Sequence, residues 1–162
     1  MTDPLQTLTR EAYALAYQMS GKREDAMDIL QDAATKSLSN DNAPSRHSSE
    51  FRPWFFKVVR NRALDQLRRQ QRFVHEPVES ESIPGAIQDN PESSLEQEQM
   101  SNQIQRALRK LDFQQREIVM LKDFHGFNYA QIAEILDIPK GSVMSRLHRA
   151  RMVLRNLLVD KN

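Results

Sequence analysis

Asn128-Tyr129-Ala130-Gln131-Ile132-Ala133-Glu134-Ile135-Leu136-Asp137-Ile138-Pro139-Lys140-Gly141-Ser142-Val143-Met144-Ser145-Arg146-Leu147-His148-Arg149-Ala150-Arg151 reads as two helices joined by a tight turn. Asn128 with Gln131 three residues on forms a capping box, and Tyr129, Ile132, Ala133 and Leu136 then make an apolar stripe. Asp137 to Lys140 has about the length of the turn in a helix-turn-helix, and small Ala133 lets a second helix cross closely. Glycine often stands at such a turn. Asp137 is the next best residue, because its short side chain tolerates the left-handed conformation. The second helix is expected to bury Val143, Leu147, Ala150, Leu154 and Leu157, with Ser145, Arg146, His148, Arg149 and Arg151 turned largely outward. That outer face is cationic and rich in hydrogen-bonding groups, which suits a helix entering a major groove. An ordinary helical hairpin with solvated arginines has the same spacing, so periodicity alone leaves both readings open.

Helical periodicity holds upstream as well. Ile104, Leu108 and Leu111 mark one helix; Ile118 and Leu121, with Phe124 as a further member, mark another. Nearer the N-terminus, Leu5, Leu8, Ala12, Leu15, Ala16 and Met19 predict a helix that ends at Ser20-Gly21. A second starts near Arg23 and carries Ala26, Ile29, Leu30, Ala33, Ala34 and Leu38. After a polar loop, 39–50, a third places Phe55, Val58, Val59, Ala63 and Leu67 on one face and Arg60, Arg62, Arg68 and Arg69 largely elsewhere. Pro53 suits its first turn. No segment alternates with period two, so the fold expected is all-α.

Residues 74–96 interrupt this pattern with three prolines, one glycine and four serines. Such a stretch buries too little apolar area to offset its ordering entropy and is expected to be an acidic, flexible linker. It divides the 162 residues into two small helical domains, 1–73 and 97–162. The net charge of +1 conceals the same division. Residues 51–72 hold seven basic side chains against one acidic, residues 73–100 hold none against seven, and residues 101–162 hold eleven against six. Two basic blocks separated by an acidic one suggest two surfaces for a polyanion, although solvated helix faces give the same count.

Several classes of function are excluded or weakened. With no cysteine, disulfides, thiol nucleophiles and thiolate metal sites are ruled out, and a reducing compartment is suited. His47, His75, His125 and His148 never fall at the i, i+4 spacing of a helical metal pair, so no metal or cofactor is expected. No apolar run nears the ~20 residues of a membrane span, and Asp3, Arg10 and Glu11 break up any secretory leader. The chain is therefore expected to be cytoplasmic, with no membrane insertion.

Resemblance adds what spacing does not. The run Tyr129 to Arg151 is similar to the promoter-reading helix-turn-helix, region four, of extracytoplasmic-function sigma factors, a class of the sigma-70 family. Glu24-Asp25-Ala26-Met27-Asp28-Ile29-Leu30-Gln31-Asp32-Ala33 resembles the helix of region two that binds core RNA polymerase. Phe51 to Arg69 resembles the segment of the same region that melts and reads the downstream promoter element. The resemblance implies a non-enzymatic initiation factor with three partners: core RNA polymerase, promoter DNA and an anti-sigma factor.

By the same resemblance, Asp28, Gln31 and Asp32 match positions that contact a coiled coil of the largest polymerase subunit. Trp54, Arg60, Asn61 and Arg62 fall in the strand-opening segment. Trp54 stacks an unpaired base or packs in the core, and Asn61 lies in the specificity loop or caps a helix. Met144, Ser145, Arg146, His148, Arg149 and Arg151 match the promoter-facing helix, and Met144 departs from the Lys or Arg usual at its place. Two other classes are weighed against this one. A stand-alone repressor would use only the C-terminal helix-turn-helix, as a dimer on a palindrome. A magnesium-dependent enzyme would need Asp25, Asp28 and Asp32 as ligands, beside no phosphate-binding loop.

Overall fold

The computed structural model describes residues 4–73 and 95–159, and every regular element among them is helical. The order is α1 (Pro4–Ser20), α2 (Arg23–Ser39), α3 (Phe51–Phe73), α4 (Leu95–Lys110), α5 (Phe113–Val119), a π-helical turn (Met120–Phe124), α6 (Tyr129–Leu136) and α7 (Lys140–Val159). Two compact units divide the chain, the first built on α1, α2 and α3 and the second on α4, α5 and α7. The expected acidic linker lies outside the described residues, apart from its last two positions, which already belong to α4. No helix among the described residues is long and apolar enough to cross a membrane.

In the first unit each helix touches both others. Leu8, Ala12, Leu15, Ala16 and Met19 of α1 meet Ala26, Ile29, Leu30 and Ala33 of α2 and Phe51, Phe55, Phe56, Val59 and Ala63 of α3 in one buried core. Ala12, Ala16, Ala26 and Ala33 are fully buried, which lets the backbones approach closely. Gly21 ends α1 at φ +77°, donating its N–H to the Tyr17 carbonyl at 2.8 Å. Pro53 sits in the first turn of α3 as expected. Two residues expected in the α2 stripe lie outside it: Ala34 and Leu38 are exposed, Leu38 by 71%. The buried line runs through Ala26, Ala33 and half-buried Ser37, which turns the neighbouring residues toward solvent. Polar clasps tie the helix surfaces: Arg52 donates to Glu11 at 2.9 Å and lies over the Phe56 ring, and Gln70 donates to Asp25 at 3.0 Å.

The second unit is organised around a half-buried arginine. Arg116 in α5 donates to the carbonyls of Leu108, Arg109 and Leu111, at 3.0 to 3.2 Å, and so satisfies the open end of α4. Burial lowers its pKa, Asp112 opposes that and Arg109 reinforces it. Asp112 and Gln115 form a capping box at the start of α5, and Asn128 and Gln131 form the expected one at α6. The helix after Val119 widens into the π turn, closed by the His125 N–H on the Met120 carbonyl and by Gly126 at φ +76°. Phe124 is consequently 56% exposed, and Phe127 is the aromatic that is fully buried. Asp137 adopts φ +54°, and the Ile138 N–H reaches back to the Ala133 carbonyl at 3.0 Å, so the left-handed residue ends α6 as the sequence suggested. Val143, Leu147 and Ala150 are buried along α7, with Leu154 and Leu157 half-buried.

Hydrogen bonds to a charged group are worth about 1.5–3 kcal/mol. Arg116→Met is therefore expected to lower the unfolding free energy by about that amount in denaturant titration. An unchanged midpoint would show that α4 ends without the guanidinium.

Candidate functional site

The residues singled out in the sequence fall on three exposed faces, two in the first unit and one in the second. On α2, Asp28, Gln31 and Asp32 are all exposed, and their i, i+3, i+4 spacing puts them on one side of the helix. Exposed Met27 lies beside Asp28 on the same helix and adds an apolar element to an otherwise acidic and amide surface. Asp28 makes no ion pair among the described residues, whereas Asp32 accepts from Arg62 at 2.6 Å. Asp25, Asp28 and Asp32 do not converge as magnesium ligands: Asp25 is held by Gln70 and Asp32 by Arg62.

The second face belongs to α3 and the loop before it. Of the aromatics that open the helix, Phe51, Phe55 and Phe56 are buried, which leaves Trp54 as the one with a partly exposed ring. Its indole lies 5.7 Å from the Phe51 ring and lines a concavity of about 480 Å³ with Val58, Lys36, Ser39, Asn40, Asp41 and Asn42. Trp54 is thus packed against Phe51 and only partly covered, neither wholly in the core nor wholly exposed. The loop residues were not singled out in the sequence, although Asn40-Asp41-Asn42 carries a turn signal: the Asn40 carboxamide accepts the Asn42 N–H at 2.9 Å.

Asn61 requires a correction. It lies neither in a loop nor at a cap, because α3 runs unbroken from Phe51 to Phe73, with no glycine or proline after Pro53 to interrupt it. Two helical turns beyond Trp54, it is exposed on nearly the same side, and its Oδ1 accepts from Arg60 at 3.2 Å. Arg62 is mostly covered, its side chain 17% exposed, and is engaged by Asp32.

The third face is α7, where Met144, Ser145, Arg146, His148, Arg149 and Arg151 are all exposed. They are not equivalent. Successive residues are 100° apart around a helix, so Ser145, His148 and Arg149 stand opposite the buried stripe, with Met144 and Arg146 on its two flanks. Arg151 borders the stripe and makes a two-pronged ion pair with Asp123 of the π turn, which raises its already high pKa. The Ser145 hydroxyl donates to the Ser142 carbonyl at 3.1 Å.

Comparison with known proteins matches both parts of the chain to described regions. A family model for sigma-70 region 2 fits residues 5–73, and one for sigma-70 region 4 fits residues 101–154. The ECF RNA polymerase sigma factor SigW of Bacillus subtilis is 30% identical over 156 residues, which cover 91% of this chain and 83% of SigW. SigE of Mycolicibacterium smegmatis, another ECF RNA polymerase sigma factor, is 32% identical over 148 residues, 90% of this chain but 56% of SigE, so the chain spans little more than half the length of that relative. Among solved structures, the sigma factor RpoE of Bartonella quintana, crystallised with the anti-sigma factor NepR, superposes with a TM-score of 0.76 at 28% identity, covering 95% of this chain and 93% of RpoE.

A partly exposed arginine–carboxylate pair contributes up to about 1 kcal/mol. A double-mutant cycle of Asp32→Ala and Arg62→Ala, read by thermal unfolding, is expected to give a coupling energy near that value. Additive single mutants would show that the pair does not form in solution.

Proposed function

The chain belongs to the extracytoplasmic-function class of the sigma-70 family, and from that membership we propose a division of labour among its three exposed faces. It is an alternative sigma factor: it directs RNA polymerase to promoters and is not itself an enzyme. Residues 1–73 bind core polymerase and open the downstream promoter element, 74–96 link, and 97–162 read the upstream element. The observation that carries this division is the charge and exposure of the faces. α2 offers acidic and amide groups to a basic helical partner, whereas α3 and α7 offer cations, amides and one open aromatic ring to nucleic acid.

On α2, Asp28, Gln31 and Asp32 form the contact with the polymerase. On α3, an unpaired base enters the concavity beside Trp54, where stacking is worth about 1–3 kcal/mol. Asn61 presents donors and acceptors to a base edge on the same side, while Arg60 supplies charge to the strand. Arg62 acts differently: bound to Asp32, it clasps α3 to α2 over an apolar core that already sets their packing, and it reaches nucleic acid only when that pair opens. On α7, Arg146, His148 and Arg149 contact bases or phosphates, with Ser145 between His148 and Arg149 and Met144 at the edge beyond His148, and Arg151 braces the helix through Asp123. The chain works in the cytoplasm beside the polymerase and is held inactive by an anti-sigma factor, as RpoE is found with NepR.

Runoff transcription with purified core polymerase tests the reading as a whole; a chain that gives no promoter-dependent transcript with any core enzyme is not a sigma factor. Within it, Asp28→Lys is expected to weaken core binding tenfold or more with the unfolding midpoint unchanged. Co-purification of the variant with core at wild-type yield removes α2 from the interface. Asp28 is the cleaner site for charge reversal, because reversing Asp32 also places a cation against Arg62.

Asn61→Ala replaces an exposed helical Asn by the best helix former, so the fold gains about 0.5 kcal/mol. The variant should nevertheless lose discrimination at one downstream base on a pre-melted promoter, measured by transcription from templates varied at each position. Wild-type preference at every position would leave Asn61 without a role in recognition.

A further inference from the structure

Among the residues that the first two turns of α7 send outward, one side chain is neither charged nor polar. Met144 is 61% exposed and lies in the part of the helix that meets base edges when a helix enters a groove. It shares its side of α7 with Lys140 and His148, four residues before and after, and with Gly141, three before. Gly141 has no side chain to fill the space beside it, and apart from its chain neighbours and the backbone of its own helix a Cβ built there would meet nothing within 4 Å. The thioether therefore stands next to open space on a helix whose neighbouring residues are suited to a polyanion. It has no hydrogen-bond donor or charge for a phosphate, but it is long, unbranched and polarizable. In the major groove only thymine presents an apolar group, its C5-methyl.

We propose that Met144 reads a thymine by packing on its C5-methyl, and so sets the base preference at one position of the upstream promoter element. This rests on the assignment of α7 to promoter DNA. The glycine gap matters to the contact, because it lets the groove floor come close enough for the thioether to cover the methyl. Arg146, about 200° away around the helix, is placed to contact the backbone or a different base pair.

The test uses holoenzyme assembled from the full chain and core polymerase, with a promoter duplex that wild-type holoenzyme selects from a randomised library. Each thymine of the upstream element is replaced in turn by deoxyuridine, which lacks only the methyl. Burial of one such group is worth about fourfold in affinity. One position is expected at which the replacement weakens binding about fourfold for the wild type and for Met144→Leu, and not at all for Met144→Ala. Arg149→Ala checks the premise and is expected to weaken binding to thymine and deoxyuridine duplexes alike. If Arg149→Ala binds as wild type, α7 does not face the promoter, and the assignment fails together with the inference. If Arg149→Ala weakens binding while no methyl effect depends on Met144, or the selected element lacks thymine, the inference alone is overturned and the thioether faces a protein partner or solvent.

Discussion

A helix has a single circumference, and in α3 that circumference is divided between a core and an exposed polar face. Phe55, Phe56, Val59 and Ala63 are 6% exposed or less, and both α1 and α2 rest on that helix. Each large side chain so buried stabilises the unit by about 1.5–3 kcal/mol, more than an exposed polar contact contributes. Packing therefore sets the rotation of α3. Trp54 and Asn61, seven residues apart and out of the stripe, come to one side because the apolar residues occupy the other. The same holds for α7, where Val143, Leu147 and Ala150 fix which residues stand opposite.

Charge counts along the chain overstate what reaches a partner. Residues 51–72 carry seven basic side chains, yet Arg52 is bound to Glu11 and Arg62 to Asp32. In the second unit Arg116 is spent on carbonyls of the preceding helix and Arg151 on Asp123. These four arginines hold helices in place, and the planar fork of the guanidinium suits them to it, since several acceptors can be met at fixed angles. The cationic surface left over is smaller and more localised than composition implies.

Local chemistry was legible in the sequence wherever it is settled by neighbours in the chain. The Asn128–Gln131 box, the left-handed Asp137, Pro53 in the first turn of α3 and the break at Gly21 all depend on residues within one turn, and the structure has each of them. What escaped depends on tertiary partners. Leu38 and Phe124 fit a helical stripe by spacing, but Ser37 and Phe127 hold the covered positions once the helices pack. The expectation that Asn61 lies in a loop came from resemblance, against a sequence with nothing to break the helix there. Arg62 and Arg151 looked alike to Arg60 and Arg149, because no pattern in the chain shows that Asp32 is 30 residues away from its partner or that Asp123 is 28 away. The concavity at Trp54 needs α2, α3 and their connecting loop at once.

The π turn at Met120–Phe124 constrains how this chain can vary in length. An i→i−5 ladder takes up one more residue than an α-helical turn without opening a loop. Deleting a residue there would restore the ordinary ladder and leave the chain beyond it close to its present place, because the turn has already absorbed the extra residue. Gly126 would still stand where the backbone turns left-handed and Phe127 would stay buried, while residues inside the turn, among them Asp123 with its bond to Arg151, would be re-phased. A single-codon deletion in this stretch would thus disturb contacts within one turn and leave the register of the helices that follow unchanged.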